Sequence, residues 1–472
     1  MAAENCVRCG KELPSFSVGP LVDRCSDCRQ IEAERNVVQD SSDAGPAASA
    51  AVHVPRPLIT YILVGINLAV FAAMVVSGVS ATRPTSDQLL RWGADFGPYT
   101  FGGQWWRMVS ATFVHIGLLH LALNMWCLWN LGALAELLFG RRAFILLYIL
   151  CGLGGSAASL AWSPTAVSAG ASGAVFGVAG ALIALFKFAH LRIPPEEMKA
   201  QLKSLVAFAG YNLLFGAISP RINNAAHLGG LFTGLLFGTL AAKYLHDRQR
   251  RDTATTRAAL ICIVLLAVSL LAVQRRQGYI VHLDNGRRAA ESKNWDRAIA
   301  ELNSALAKRP DNPYAHALLG WAYAEKDDRE RAEREYRRTL QLQPENVSVK
   351  VRLAQLYLKS DRVDEAEELF GQALQRDRRN AEALAGTGFI ALSRGDTERA
   401  VDFLSRAVTA QRHYPAAYFA LGLAYTRAGQ REKAIEAMQT AVSQDASLEA
   451  AKQVLDALNN EVESKRSTSP RQ

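Results

Sequence analysis

The chain has 472 residues, too many for one ordinary domain, a formal charge of +9, and apolar side chains at half its positions. Charged residues still make up 21%, but unevenly: apolar segments crowd between Leu58 and Val273, and charge crowds after Arg275. That division excludes a single globule and favours a membrane domain followed by a soluble one. Many basic residues sit in short loops between apolar segments, where topology accounts for them, so no nucleic-acid partner is expected.

The first element is a pair of C-x2-C knuckles, Cys6 with Cys9 and Cys25 with Cys28, fifteen residues apart. Each knuckle offers two thiolates to one ion, and four sulfurs complete a tetrahedral site, so a structural zinc is expected over residues 1–30. So short a segment has little core of its own, and metal would supply its folding energy. A pair of disulfides or redox-active thiols is the alternative. No apolar stretch precedes Leu58, so no signal peptide is expected. Residues 31–57, rich in Ala, Ser and Pro, read as a flexible linker. The other cysteines, Cys127, Cys151 and Cys262, fall inside apolar runs and read as small packing residues.

Seven apolar segments follow, near Leu58–Ser77, His115–Phe139, Ala143–Trp162, Ala171–Ala189, Leu202–Ser219, Ala225–Leu245 and Ala258–Val273. A crossing helix needs about 20 residues, and several are near the short limit, so six spans is the other count. Arg141 and Arg142, then Lys187, Arg192, Lys199 and Lys203, then Lys243, Arg248, Arg250, Arg251 and Arg257 fill the loops after spans two, four and six. The positive-inside bias places those loops and the N-terminus in the cytoplasm, and a seventh span then carries the C-terminal region outside. Against this, Arg275 and Arg276 directly follow that span, and its sixteen residues are few. The expected location is a bacterial cytoplasmic membrane.

The last region repeats with a period of 34. Ala298, Ala332, Ala366, Ala400 and Ala434 stand at that interval, as do Gly286, Gly320, Ala354, Gly388 and Gly422. Two helices per repeat, with small residues where they cross, is the tetratricopeptide pattern. Five repeats fit from Gln277 to Ala446, with a capping helix over Leu448–Leu458; the domain extends over residues 277–463 and reads as a binding surface for protein partners.

Chemistry gathers in the membrane segments. Ser172 lies in "SAGASGAVFGVAG", between Gly170 and Gly173. Alone, such a serine in a glycine-rich span is more often a packing residue than a nucleophile. His227 opens the sixth span, and an ionisable residue there is costly and often functional. Gly230, Gly234 and Gly238 behind it let the fourth span, with Gly173 and Gly177, approach almost to backbone contact. Both spans begin on the same side, so Ser172 and His227 lie at matched depth. On the second span, beside His115, the residues His120 and Asn124 are four apart on one face and are candidate oxyanion donors, beside the Ser172 N–H. No acidic residue is placed to complete a triad, so the expected arrangement is a Ser–His dyad that needs no cofactor.

These residues resemble the rhomboid family of intramembrane serine proteases. The resemblance rests on Gly170-Ala171-Ser172-Gly173, His120 with Asn124, Ala226-His227-Leu228-Gly229-Gly230, and Trp106-Arg107 in the first long loop, and covers about Leu58 to Leu245. It implies an all-α chain: a six-helix core plus one extra span over residues 58–274, then the α-solenoid. It implies Ser172 as nucleophile, His227 as base, His120 and Asn124 as oxyanion donors, and cleavage of single-span membrane proteins near the outer face. The family often has tyrosine one turn after the nucleophile, stacked on the catalytic histidine; here Phe176 keeps the ring and loses the hydroxyl. A non-catalytic adaptor that holds clients through its repeats is the main alternative. A transporter using its histidines as a proton relay is disfavoured, because the two halves of the membrane region show no internal repeat.

Overall fold

The computed structural model describes residues 56–189, 194–219, 222–244 and 248–468. The expected zinc knuckle and residues 31–55 of the expected linker fall outside the described residues, with Arg192. The described chain is helical, and its one extended pairing is an isolated antiparallel bridge between Asp95 and Ser168. It divides between Val281 and His282 into two compact units.

Among the described residues, the first unit has seven long helices and three short ones. Helix α1 (Leu58–Val76) leads into a long loop carrying the short helices α2 (Ser86–Arg91), α3 (Gly97–Phe101) and α4 (Arg107–Ser110). Helix α5 (Leu118–Phe139) contains one π turn at Leu128–Gly132. Then come α6 (Arg141–Trp162), α7 (Ser172–Phe188), α8 (Pro195–Ile218), α9 (Asn224–Ala242) and α10 (Arg248–Gln277). Five of them, α1, α5, α6, α9 and most of α10, are long and apolar enough to cross a bilayer; α7 is a shorter apolar helix. The chain is a multi-pass membrane protein. Exposed Leu260, Ile263, Val264, Val268 and Leu271 on α10 make sense only against hydrocarbon.

Helix α7 is the centre. It is apolar all round and buried on every side, as such a helix must be. Helix α9 lies along it through glycines: a Cβ at Gly230 would strike the Gly173 carbonyl, one at Gly234 the Gly177 carbonyl, and one at Gly238 the Ala181 carbonyl. Helix α6 packs against both, with Gly155 against Gly173 of α7 and Ala226 of α9. Helix α10 differs from the expected short span. Its 30 residues extend well before Ala258 and past Val273, about 45 Å at 1.5 Å per residue. The Arg- and Thr-rich stretch from Arg248 to Arg257 lowers the local hydropathy but does not break the helix.

Glu136 explains how α1 begins. It is buried near the end of α5 and accepts the Ile59 N–H at 3.0 Å, the Thr60 N–H at 2.8 Å and the Thr60 hydroxyl at 3.0 Å. A carboxylate there satisfies donors that a helix start leaves open and meets the positive end of its dipole.

The second unit is a run of helix pairs. Tyr279–Glu291 with Trp295–Lys308, Pro313–Glu325 with Arg329–Leu342, Val347–Lys359 with Val363–Arg376, Ala381–Ser393 with Thr397–Ala410, and Pro415–Arg427 with Arg431–Gln444 precede a last helix, Glu449–Thr468. The period-34 alanines are all completely buried. The glycines at the second register exist because the partner helix presses there: Leu302 over Gly286, Tyr336 over Gly320, Leu404 over Gly388 and Met438 over Gly422. A third register runs through the turns. Lys293, Asp327, Asp361, Gly395 and Gly429, again 34 apart, all have positive φ.

Candidate active site

Ser172 is the first residue of α7, and His227 lies in the first turn of α9. The glycine contact between these helices brings His227 Nε2 to 3.0 Å from Ser172 Oγ. One turn on, the Phe176 ring stacks on the imidazole at 4.2 Å with the planes 4° apart. His227 is buried, and among the described residues its Nδ1 has no hydrogen-bond partner. No carboxylate therefore stands behind the imidazole as in a triad. A neutral ring taking the serine proton on Nε2 carries its own proton on Nδ1.

Three contacts hold the approach to Ser172. The Gly170 N–H donates to the Ala111 carbonyl at 2.8 Å, and Gly170 has φ +131°, which only glycine adopts without strain. The space a Cβ would take there is filled by the His120 ring. The Ala171 N–H reaches His115 Nε2 at 3.5 Å, and His115 Nδ1 faces the Phe113 carbonyl at 3.3 Å. Those partners assign His115 the neutral tautomer protonated on Nδ1, with Nε2 as acceptor. The third contact is the bridge between Ser168 and Asp95.

His120 accepts the Ile116 N–H on Nδ1 at 3.4 Å. Its proton then sits on Nε2, which lies nearer Gly170 than Nδ1 does. Asn124 is buried and shares the helix, but its amide nitrogen donates to the His120 carbonyl at 2.8 Å. One of its two N–H bonds is thus spent along its own helix. The peptide N–H groups of Ser172 and Gly173 open α7 ahead of its first backbone bond, Val175 to Ala171. They place the positive end of a helix at the hydroxyl, where an anion is favoured.

Asn223 went unnoticed in the sequence. It caps α9 through the Ala226 N–H at 3.2 Å and donates to Ser159 Oγ of α6 at 2.6 Å and to Ser168 Oγ, four residues before Ser172, at 3.3 Å. One amide thus fixes the start of the histidine helix to the loop that presents the serine. The signal for it was present: an Asn pair just before an apolar, glycine-spaced run is an N-cap pattern. Trp106-Arg107 organises the long loop. Arg107 is buried, donates to the Leu90 and Ala94 carbonyls at 2.7 and 3.0 Å, and lies over the Tyr99 and Trp106 rings. Beneath it, burial pushes the Asp95 carboxyl up to about 6, against the hydrogen bond from Thr100 at 2.5 Å. Among the described residues no cluster of His, Cys, Asp and Glu could hold a metal; Cys6, Cys9, Cys25 and Cys28 are outside them.

Residues 102–244, within the first unit, match the family model of the Rhomboid domain. In the second unit, the tetratricopeptide domain of cytochrome c-type biogenesis protein H matches residues 283–411 and a tetratricopeptide repeat model matches 391–458. The Rhomboid protease GluP of Bacillus subtilis is 31% identical over 207 residues, which are 43% of this chain and 39% of that protein. RHOMBOID-like protein 4 of Arabidopsis thaliana is 36% identical over 40% of this chain and 48% of its own length. The Rhomboid protease AarA of Providencia stuartii is 28% identical over 46% of this chain and 80% of its own length. The chain thus spans less than half the length of the first two relatives. Among solved structures, that of the MamA protein aligns over 36% of this chain and 92% of its own at 20% identity, with a TM-score of 0.32.

Proposed function

We propose that this protein is an intramembrane serine endopeptidase that cuts single-span membrane proteins, using Ser172 as nucleophile and His227 as base. The observation that carries the reading is the 3.0 Å approach of His227 Nε2 to Ser172 Oγ at the start of a buried helix. A hydrolase needs a nucleophile, a base in hydrogen-bond reach and donors for the developing oxyanion. Ser172 Oγ attacks the scissile carbonyl carbon while its proton passes to His227 Nε2. The oxyanion forms beside the Ser172 N–H, with His120 Nε2–H and the second amide N–H of Asn124 as side-chain donors. His227 returns the proton to the leaving amine, an acyl-serine remains, and a water deprotonated by His227 hydrolyses it. Phe176 holds the imidazole plane, a task the unpartnered Nδ1 leaves to packing.

In this reading the N-terminus is cytoplasmic and the membrane is the bacterial inner one. The repeats lie outside, on the side where Ser172 and His227 open their helices, and hold the external part of a client. Tethering raises the client's local concentration at the serine. The test uses purified full-length protein and a single-span reporter substrate in detergent. Ser172→Ala and His227→Ala should each abolish cleavage with unfolding unchanged, because the two act as a unit. His120→Ala should slow it by about 10²–10³. Substantial cleavage by Ser172→Ala overturns the mechanism. Deleting residues 294–472 should weaken cleavage of natural clients more than that of the short reporter; equal losses favour a bare protease with an unrelated repeat domain.

A further inference from the structure

At the end of the bundle where α1, α6 and α10 begin, a cavity of about 430 Å³ opens. Four guanidinium groups line it, Arg56 before α1, Arg141 and Arg142 at the start of α6, and Arg251 in the first turn of α10, against two carboxylates, Glu136 and Asp252. The carboxylates are already engaged. Glu136 holds the Ile59 and Thr60 N–H groups and lies 3.6 Å from Arg141, and Asp252 lies 3.4 Å from Arg251. Among the described residues no carboxylate pairs with Arg56 or Arg142. Arg251 lies along Gly140, which has φ +83° and opens α6.

We propose that this cavity binds the phosphate of an anionic phospholipid headgroup. Two unpaired guanidiniums and two half-engaged ones, brought by three separate segments into one concavity, match a phosphate's several acceptor oxygens. Basic pockets between spanning helices are where such headgroups lodge. The surroundings choose a lipid over a free phosphate. Leu137 lines the cavity and is 44% exposed, and Ile145 and Ile149 follow Arg141 at four-residue steps, each about 40% exposed. Leu58 and Ile62 continue the apolar wall on α1. Acyl chains have a track leading away from the arginines. Along α6 the site is separated from Gly155, which packs on Gly173 beside the serine, by 14 residues, about 20 Å of helix. The inference needs the bundle to lie in a bilayer, but not the protease reading.

The test is native mass spectrometry of the full-length protein released from nanodiscs of phosphatidylglycerol mixed equally with phosphatidylcholine. The wild type should retain phosphatidylglycerol preferentially, and Arg56→Gln with Arg142→Gln should reduce that preference by about thirtyfold, two arginine contacts' worth. Thermal unfolding checks that the double variant is folded; if it is not, Arg56→Gln alone, at an exposed position, is read in its place. Wild-type preference in the folded variant, or no preference in the wild type, overturns the proposal. A third arm adds inorganic phosphate at millimolar concentration. Little displacement is expected, and full displacement of the lipid assigns the site to a free phosphate and overturns the lipid assignment.

Discussion

Gly234→Ala tests the contact on which the site depends. A methyl at Gly234 would run into the Gly177 carbonyl, and that atom is backbone of a buried helix with nowhere to retreat. To reach an ordinary carbon–oxygen separation of about 3.5 Å, α7 and α9 must part by more than an ångström. Gly234 lies two turns from His227 on the same helix, so the parting carries to the 3.0 Å Ser172–His227 approach and takes it out of hydrogen-bond reach. Misplacement of that size costs about 10²-fold in rate, and the overpacking itself destabilises by about 1–3 kcal/mol. The assay is cleavage of a reporter substrate, with thermal unfolding in the same detergent. Gly210→Ala is the control, since a methyl on that face of α8 meets nothing within 4 Å, and it should leave rate and unfolding unchanged or slightly raise the melting temperature. A Gly234→Ala protein with wild-type rate and stability would refute the idea that backbone contact sets the dyad geometry.

Three further outcomes are expected. Asp95 has its folded pKa raised from 3.8 to about 6. Its contribution is therefore full below pH 3.8 and is lost as pH rises through 6, up to about 3 kcal/mol. Asp95→Asn, which keeps an acceptor for Thr100, should flatten the fall in melting temperature between about pH 4 and pH 7, and an unchanged slope counts against it. Lys293→Gly relieves a side chain held at φ 59° where later repeats use glycine, and should raise the melting temperature of the repeats by an amount equivalent to about 1 kcal/mol; a lower value would mean the lysine is held by something beyond the turn. Cys9→Ser should remove one zinc per chain from the full-length protein purified under reducing conditions, read by elemental analysis, with reporter cleavage unchanged. Wild-type protein without zinc would dispose of that site.

What could be read from the sequence divides along physical lines. Apolar runs and the 34-residue period gave helices and their order because each is a repeated demand on many side chains. The meeting of Ser172 with His227 was legible for a related reason, since two glycine-spaced faces at matched depth have few other ways to pack. Single long-range contacts were not legible. Nothing near Glu136 says that its carboxylate closes the start of α1 some 76 residues away. Nothing near Asn223 says which two serines its amide reaches, and Asn124 gives no sign that its own helix claims one of its protons. The π turn at Leu128–Gly132 is likewise silent, because a widened turn is a property of the packing around it. Helix α10 begins ten residues before the apolar segment, because hydropathy marks where hydrocarbon is met, while a helix continues as long as its backbone bonds are kept.

The glycine seam between α7 and α9 also sets a schedule. Ser172 and His227 are 55 residues apart in the chain, and helices enter a membrane before they pack against one another. On the proposed function, a nascent chain that has inserted α7 has its serine but not yet His227, and should stay inert among the other newly made membrane proteins around it. Competence arrives only when α9 has been synthesised, inserted and docked to backbone contact. On the proposed function, latency needs no cleaved segment: until α9 docks, the two side chains stay apart, and that docking is the activation step.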